Sequence, residues 1–193
     1  MTEPLFFFRK KFWLTILKLI ALGFVSAMLL VQIPELFYDL GPKSPLAIST
    51  PQGLSRDRIA GATFVSIEGK PDFKNAFIYR RYGLSYSYFT VEPYGMRLIA
   101  RTHEEVTDEW NQLNRFMGKL RPFNRQPFHY RIRDIYQEKF QIDVPSDAFF
   151  LALDDVPKIN GWQISAMVFA ILLWLVMFYM FFLFGRRRSK KNI

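Results

Sequence analysis

The sequence predicts an α+β fold anchored in a membrane, with two transmembrane helices flanking a small antiparallel β-barrel-like domain that carries one amphipathic helix. Three observations predict it. Two long apolar runs lie near the ends of the chain, each beside a basic cluster. Between them, aromatic and β-branched stretches alternate with turn residues at a spacing of about 8–12 residues. One later segment instead has apolar residues at helical spacing.

Positive charge is concentrated at the two ends of the chain. The 193 residues include 26 Lys and Arg against 17 Asp and Glu, a formal net charge of +9. The ends carry +3 before Pro34 and +5 after Phe184, which leaves the middle at +1. A basic tail without a fold to position its charges does not favour a nucleic-acid partner. We predict contact with membrane lipids and assign these topology anchors: Arg9, Lys10, Lys11, Arg186, Arg187, Arg188, Lys190 and Lys191.

Residues 12–33 and 164–184 are long enough to cross a bilayer. The first run holds one charge, Lys18, and the second holds none, while a membrane helix needs about 20 mainly apolar residues. Lys18 lies near the basic end of its run, so its ammonium can reach the headgroups. Because Lys and Arg accumulate on the cytoplasmic side, we predict both termini in the cytoplasm and the domain in the periplasm. A bacterial inner membrane is favoured over a mitochondrial one because no transit-type N-terminus is visible.

These assignments divide the chain into tails, spans, linkers and one domain. The first linker is predicted to be extended because Pro42, Pro45 and Pro51 fall within it. The segments are a basic cytoplasmic tail (1–11), the first transmembrane helix (12–33), an extended linker (34–55), a β-rich extracytoplasmic domain (56–155), a short linker (156–163), the second transmembrane helix (164–184) and a second basic tail (185–193).

The middle of the chain predicts six short strands in an antiparallel meander. Turn residues stand at 69–72 and 93–95, and the second of these turns makes a hairpin of its two neighbouring strands. Gly118 is interpreted as a bulge within the fifth strand. The predicted strands are GATFVSIEG (61–69), AFIYR (76–80), YSYFTVE (86–92), MRLIART (96–102), LNRFMGKLR (113–121) and DAFFLAL (147–153).

Residues 128–140 predict an amphipathic helix. Their apolar residues recur at helical spacing, beginning with Phe128 and Ile132 and ending with Phe140. Six strands with a helix across one opening describe either a small closed barrel or an open β-roll. We favour the barrel because closure removes the edge strands.

Arginine and aromatic residues are interleaved in LRPFNRQPFHYRIR (120–133). This composition is typical of binding hot spots. It also fits contact with anionic headgroups, or a core of aromatic rings bordered by ordinary solvated arginines. We predict a partner-binding surface formed by Arg121, Phe123, Arg125, Phe128, Tyr130, Arg131 and Arg133.

Each apolar run also carries a pair of small residues four positions apart. Gly23 and Ala27 lie in the first run, and Ala166 and Ala170 lie in the second. Such pairs allow close approach of helices. We predict that they pack the two spans together, with docking onto another protein's helix as the alternative.

No residues have the spacing of a catalytic or metal site. The chain has no cysteine and two histidines, and His103 beside Glu104 and Glu105 lacks a further spaced ligand. Asp154 and Asp155 are adjacent carboxylates in a predicted linker, where a negative cap near the membrane is favoured over acid catalysis. We predict no catalytic residue, metal or cofactor, and no enzyme activity.

The order of features is similar to that of a known family. Local similarity is carried by FVSIEGKPD (64–72), YFTVEPYGMRLIART (88–102), FMGKLRP (116–122) and FHYRIRD (128–134). With a basic N-terminus and a β-rich domain between two spans, the chain resembles the SURF1-like family of cytochrome oxidase assembly factors. That family has a histidine near the second span that can face a haem, but KINGWQISAM (158–167) contains none. The resemblance therefore implies an assembly role without implying a haem site.

Together these features predict a non-enzymatic accessory or assembly factor for a membrane protein complex, with a respiratory oxidase as the partner that the resemblance implies. The alternative is a membrane-anchored envelope module that binds a lipid or peptide inside its β-domain. An apolar cavity in the domain would favour this alternative, whereas a filled core favours the accessory role.

Overall fold

The computed structural model describes residues 4–59, 61–81, 83–159 and 161–183, and all of their side chains except those of residues 4–11 and 81. The chain divides into two units, one made of Met1–Leu36 with Ile159–Ile193 and the other of Phe37–Lys158. The elements in chain order are α1 (Pro4–Leu40), β1 (Leu46–Ile48), β2 (Thr63–Glu68), β3 (Lys70–Arg81), β4 (Leu84–Glu92), β5 (Gly95–Thr102), β6 (Arg115–Pro122), α2 (His129–Phe140), β7 (Phe149–Ala152) and α3 (Gly161–Phe178).

The first unit contains two helices that are long and apolar enough to cross a membrane. The candidate spans are Phe12–Leu40 and Gly161–Leu183, with mean hydropathies of 2.4 and 2.6 over their most apolar windows. None of the residues in those windows is buried, unlike those of a core helix in a soluble protein. Helix α1 continues through Pro34 to Leu40, beyond the predicted end of the first span at residue 33. A π-helical turn, Tyr179–Leu183, follows α3.

The two apolar helices contact each other through polar and aromatic side chains. The indole N–H of Trp174 donates to Ser26 Oγ at 2.8 Å, and that hydroxyl donates to the Leu22 carbonyl at 2.9 Å. Lys18 Nζ lies 5.5 Å from the ring centroid of Phe181. Lys18, nearer the start of α1, contacts the π-helical turn after α3, whereas Ser26 contacts Trp174 within α3, so the two helices are antiparallel.

The small residues predicted to pack these helices are divided between two environments. Ala166 and Ala170 are half-buried. Gly23 and Ala27 are exposed, and a Cβ atom built at Gly23 would meet nothing within 4 Å. The structure therefore does not place the pair in α1 at a close helix contact.

The second unit contains one open, mixed seven-stranded sheet in the order β1-β2-β6-β7-β5-β4-β3. The predicted α+β class is confirmed, but the predicted closed six-stranded barrel is wrong. Within the described residues, β1 and β3 are edges that do not pair with each other. The β1–β2 and β5–β7 pairs are parallel, whereas β3, β4 and β5 form the predicted antiparallel meander.

The barrel prediction failed at Gly69. Residues 69–72 were predicted to be a turn, but Lys70 pairs with Glu92 in the β3–β4 ladder, and Glu68 pairs with Arg115 in the β2–β6 ladder. Strands β2 and β3 therefore follow each other directly in the chain, but β2 pairs with β6 whereas β3 pairs with β4. A Cβ atom at residue 69 would lie 2.4 Å from the Glu92 carbonyl oxygen, so the close approach requires glycine.

The segment predicted to be an extended linker (34–55) is instead partly packed against the sheet. Residues 46–48 form β1, which pairs with β2, and Ile48 and Leu54 are buried in the core. The Tyr94 hydroxyl donates to the Ile48 carbonyl at 3.1 Å, which fixes this segment to the β4–β5 turn. The prolines of this segment prevent helix, but they do not prevent packing.

Alternation along the strands gives the sheet two buried faces. The first face contains Val65, Ile67, Phe89, Leu98, Phe116, Leu120, Phe149 and Leu151. On the second face, Ile132 and Tyr136 of α2 pack against the sheet. Their partners there are Phe77, Tyr88 and Phe150. Burial of side chains of this size contributes about 1.5–3 kcal/mol each to folding. The helix predicted at 128–140 is thus confirmed from residue 129 onward.

A buried ion pair joins the two ends of the second unit. The Lys119 side chain is 3% exposed, and its Nζ lies 3.0 Å from Asp155 Oδ2. The same ammonium lies 4.0 Å from the ring centroid of Tyr38. The Tyr38 hydroxyl in turn donates to the Asp155 backbone carbonyl at 2.7 Å. The last turn of α1 is therefore fastened to the segment that follows β7.

Candidate functional site

An arginine and three tyrosines come together on the α2 side of the sheet. In the β4–β5 ladder Tyr88 stands opposite Arg101, and in the β3–β4 ladder Tyr79 stands opposite Tyr86. Residues two apart on one strand share a face, so Tyr86 and Tyr88 point to the same side. Register alone therefore collects these four side chains at one place, which we call the Arg101 pocket.

The Arg101 pocket is a cavity of about 340 Å³ between β3, β4 and β5 and the segment that enters α2. This volume lies near the lower end of the range for small-molecule sites. Of the described residues that line it, Arg101 is the one that carries a charge. Its walls include Tyr79, Tyr86, Tyr88, Gln126 and Phe128.

Aromatic rings hold the guanidinium of Arg101 in position. Its central carbon lies 4.9 Å from the ring centroid of Tyr86 and 5.4 Å from that of Phe150. The ring of His103 packs against Tyr86, with 4.4 Å between their centroids. Cation–π contact of this kind contributes about 0.5–2 kcal/mol, more when the cation is desolvated.

The charge of Arg101 is not neutralised by the described part of the chain. It forms no ion pair with a described carboxylate, and its Nε is buried without a hydrogen-bond acceptor. Burial raises the pKa of Tyr88, an effect that the nearby Arg101 guanidinium opposes. The tyrosine therefore remains a neutral hydroxyl near neutral pH and can donate a hydrogen bond.

Gln126 and Phe128, which both precede α2 in the chain, complete the pocket. Gln126 is 9% exposed, and its side-chain amide has no hydrogen-bond partner among the described residues. Phe128 has φ of 63° and is 42% exposed, although it is large and apolar. Such a backbone conformation is costly for a bulky residue, by about 1–3 kcal/mol, and occurs preferentially at functional sites.

The residues predicted to bind a partner are only partly on the surface. Phe123 is 1% exposed and belongs to the core under α2, so it cannot form a docking surface. Arg121 is half-buried. The others are exposed and lie at or just before the start of α2, and we call them the α2 N-terminal surface: Arg125, Phe128, Tyr130, Arg131 and Arg133.

Aromatic contacts organise the α2 N-terminal surface. The rings of Phe128 and Tyr130 lie 6.3 Å apart, and the Arg131 guanidinium lies 5.8 Å from the Tyr130 ring. His129 Nδ1 lies 2.9 Å from the Gln126 carbonyl oxygen, which can only accept, so this nitrogen carries the proton. Phe128 belongs both to this surface and to the wall of the Arg101 pocket.

The histidines and acidic pairs have structural contacts. Asp154 accepts from the backbone N–H of His103 at 2.6 Å and from the Thr102 hydroxyl at 3.2 Å. Asp155 forms the buried pair with Lys119. Among the described residues, no group of three or more His, Asp or Glu side chains could hold a metal ion. The carboxylates predicted to cap a linker thus fix the end of β7 to its neighbours.

Another cavity, of about 510 Å³, lies beside the edge strand β3. Its lining combines Phe73 and Phe77 with the acidic loop at Glu104 and Glu105. The buried Tyr88 also lines this cavity. The predicted topology anchors Arg9, Lys10, Lys11, Arg186, Arg187, Arg188, Lys190 and Lys191 lie outside the residues whose side chains are described.

Arg101 was missed at the sequence level because it ends an apolar strand and looks like an ordinary terminal charge. The hairpin predicted from YSYFTVE and MRLIART brings these strands together, but Arg101 comes opposite Tyr88 only because the register shifts between Thr90 and Val91. The site is thus identified by the positions of its own side chains. Comparison of the chain with known protein families, with characterised proteins and with solved structures gives no match.

Proposed function

We propose that the chain is a two-pass membrane protein that serves, without catalytic activity of its own, as an accessory or assembly factor for a larger membrane complex. Both apolar helices span the inner membrane of a bacterium, both termini are cytoplasmic, and Phe37–Lys158 lies in the periplasm. The length and apolar surface of the two helices support the spans. The terminal excess of Lys and Arg supports the orientation.

The observation that carries the docking role is the α2 N-terminal surface. It places exposed arginine beside exposed aromatic rings, and Tyr130 is 50% exposed. Arginine, tyrosine and phenylalanine are enriched at protein interfaces, whereas soluble surfaces rarely concentrate them. We assign this surface to contact with the extracytoplasmic face of a partner. The resemblance to the SURF1-like family makes a respiratory oxidase the first partner to test.

Charge reversal at Arg131 and Arg133 is expected to abolish association with the partner complex. Opposite charges at both positions place repulsion where the wild type has attraction, and each buried interfacial charge lost costs about 2–5 kcal/mol. The measurement is co-purification of tagged full-length protein from bacterial membranes in mild detergent, quantified by mass spectrometry. The matched control reverses the exposed Lys74 and Lys139 instead.

Retention of the same partners by the Arg131 and Arg133 variant would show that this surface does not dock. Purification of the wild type always alone would remove the accessory role itself. The control variant is expected to keep its partners, because Lys74 and Lys139 lie on β3 and in the last turn of α2, away from the surface.

The second candidate is an envelope module that binds a small ligand in the periplasmic domain. The interior predicted to hold it is filled, because Phe77, Tyr88 and Phe150 pack directly against α2. The Arg101 pocket, at the rim of that core, is the observation that favours ligand binding. The two functions are compatible, since Phe128 lines the pocket and belongs to the docking surface.

A further inference from the structure

We propose that the Arg101 pocket binds a carboxylate carried on an apolar or aromatic body. This inference goes beyond the docking role and does not depend on it. Among the described residues that line the pocket one is charged, and that single charge is matched by a monoanion. A phosphate dianion would leave one negative charge uncompensated among aromatic walls, which is unfavourable.

The guanidinium is arranged for recognition of a planar anion. The central carbon of the guanidinium lies over the rings of Tyr86 and Phe150, and cation–π contact of this kind leaves its N–H groups able to donate hydrogen bonds. A carboxylate matches that planar set of donors and can accept two parallel hydrogen bonds. Since Nε is sealed from solvent, the two Nη groups supply these contacts.

Polar groups beside Arg101 supply further donors. The Tyr88 hydroxyl belongs to the same cross-strand pair as Arg101, and burial keeps it protonated. The Gln126 amide lines the cavity with nine-tenths of its residue surface buried and with no partner in the described chain. The Tyr88 hydroxyl accepts a hydrogen bond from Arg101 and can donate its own proton, so an oxyanion at this place would accept hydrogen bonds from both Tyr88 and the Gln126 amide.

The remaining walls specify what carries the carboxylate. Tyr79, Leu84, Phe128 and Ile132 present apolar or aromatic surface to the cavity. A volume of about 340 Å³ accommodates a carboxylate with one ring or a short alkyl chain. Phe128, whose backbone has φ of 63°, forms part of this wall.

The test measures binding of defined probes to full-length protein in nanodiscs of zwitterionic lipid, by ligand-observed NMR against empty nanodiscs. Phenylacetate represents a small aromatic acid and decanoate an acid derived from lipid. Phenylacetamide is the neutral isostere, and inorganic phosphate is the compact polyvalent anion. We expect at least one acid to bind at least tenfold more tightly than phenylacetamide or phosphate. Tighter binding of phenylacetate would indicate a small aromatic acid as the ligand, and tighter binding of decanoate would indicate an acid derived from lipid.

Substitutions of Arg101, compared with a control substitution of Arg115, test whether the acids bind in the pocket. Arg101→Gln is expected to weaken acid binding about tenfold or more, and Arg101→Lys, which keeps the charge but loses the planar donors, by a smaller factor. The control Arg115→Gln removes one positive charge from an exposed pair on β6 and is expected to bind the acids as the wild type does. Equal binding of acid and amide by the wild type, preference for phosphate, or full acid binding by folded Arg101 variants would each overturn the proposal.

Discussion

Gly118→Ala is expected to unfold the β-sheet domain or to lower its stability by about 3 kcal/mol or more. Gly118 lies in β6, where a Cβ atom would stand 2.1 Å from the Ala152 carbonyl oxygen and 2.9 Å from the Leu153 Cα. These are backbone atoms, so no side-chain rotation relieves the clash. The β6–β7 ladder, which joins the two halves of the sheet, would have to separate.

The matched control for this prediction is Gly61→Ala. A Cβ atom at residue 61 meets nothing within 4 Å, and the residue precedes β2 rather than lying inside the sheet. The measurement is urea-dependent proteolysis of the full-length protein in membranes. We expect Gly61→Ala to retain the wild-type midpoint. Equal midpoints for both variants would contradict the close approach of β6 and β7.

Lys119→Ala is expected to lower the stability of the same domain by about 3 kcal/mol. The substitution removes a nearly buried ammonium that pairs with Asp155 and contacts the Tyr38 ring. It leaves the partly buried Asp155 without its cation and opens a cavity between β6 and the last turn of α1. Proteolytic cleavage around residues 38 and 155 should increase before the rest of the domain opens, because Tyr38 and Asp155 are fastened there.

Arg115→Ala provides the comparison on the same strand. Arg115 and Glu68 lie 2.9 Å apart, a distance similar to that of the buried pair, but their side chains are 62% and 50% exposed. Exposed pairs contribute about 0–1 kcal/mol. The difference between the two variants in urea-dependent proteolysis therefore measures the effect of burial. If Arg115→Ala costs as much as Lys119→Ala, the buried pair has no special role.

Turn residues and apolar spacing correctly predicted the elements whose local preference matches their place in the folded sheet. The β4–β5 hairpin follows from its short turn at residues 93–95, and α2 follows from the spacing of Ile132 and Tyr136. Residues 69–72 have the composition of a turn, yet strand pairing with residues 90–92 takes precedence. Proline-rich residues 40–54 looked solvated, although burial of Ile48 and Leu54 holds them against the sheet.

The candidate site depended on contacts that the sequence does not show locally. The position of Arg101 beside Phe150 requires the parallel β5–β7 pairing, which joins residues about 50 positions apart. Phe123 and Phe128 stand in the same arginine-rich stretch, but one is buried and the other lines the pocket. Composition indicated an Arg and aromatic surface, but which ring is buried depends on packing against the sheet and α2, which composition does not show.

The topology of the chain in the membrane is the central claim, and cysteine labelling tests it most directly. The chain has no cysteine, so a single introduced thiol reports one position without background. Lys74→Cys places a thiol on an exposed residue of β3, and Ser189→Cys places one in the C-terminal basic tail. With the outer membrane permeabilised and the inner membrane intact, an impermeant maleimide is predicted to label Lys74→Cys at once and Ser189→Cys only after lysis. Labelling of Ser189→Cys before lysis, or protection of Lys74→Cys until lysis, would contradict the account.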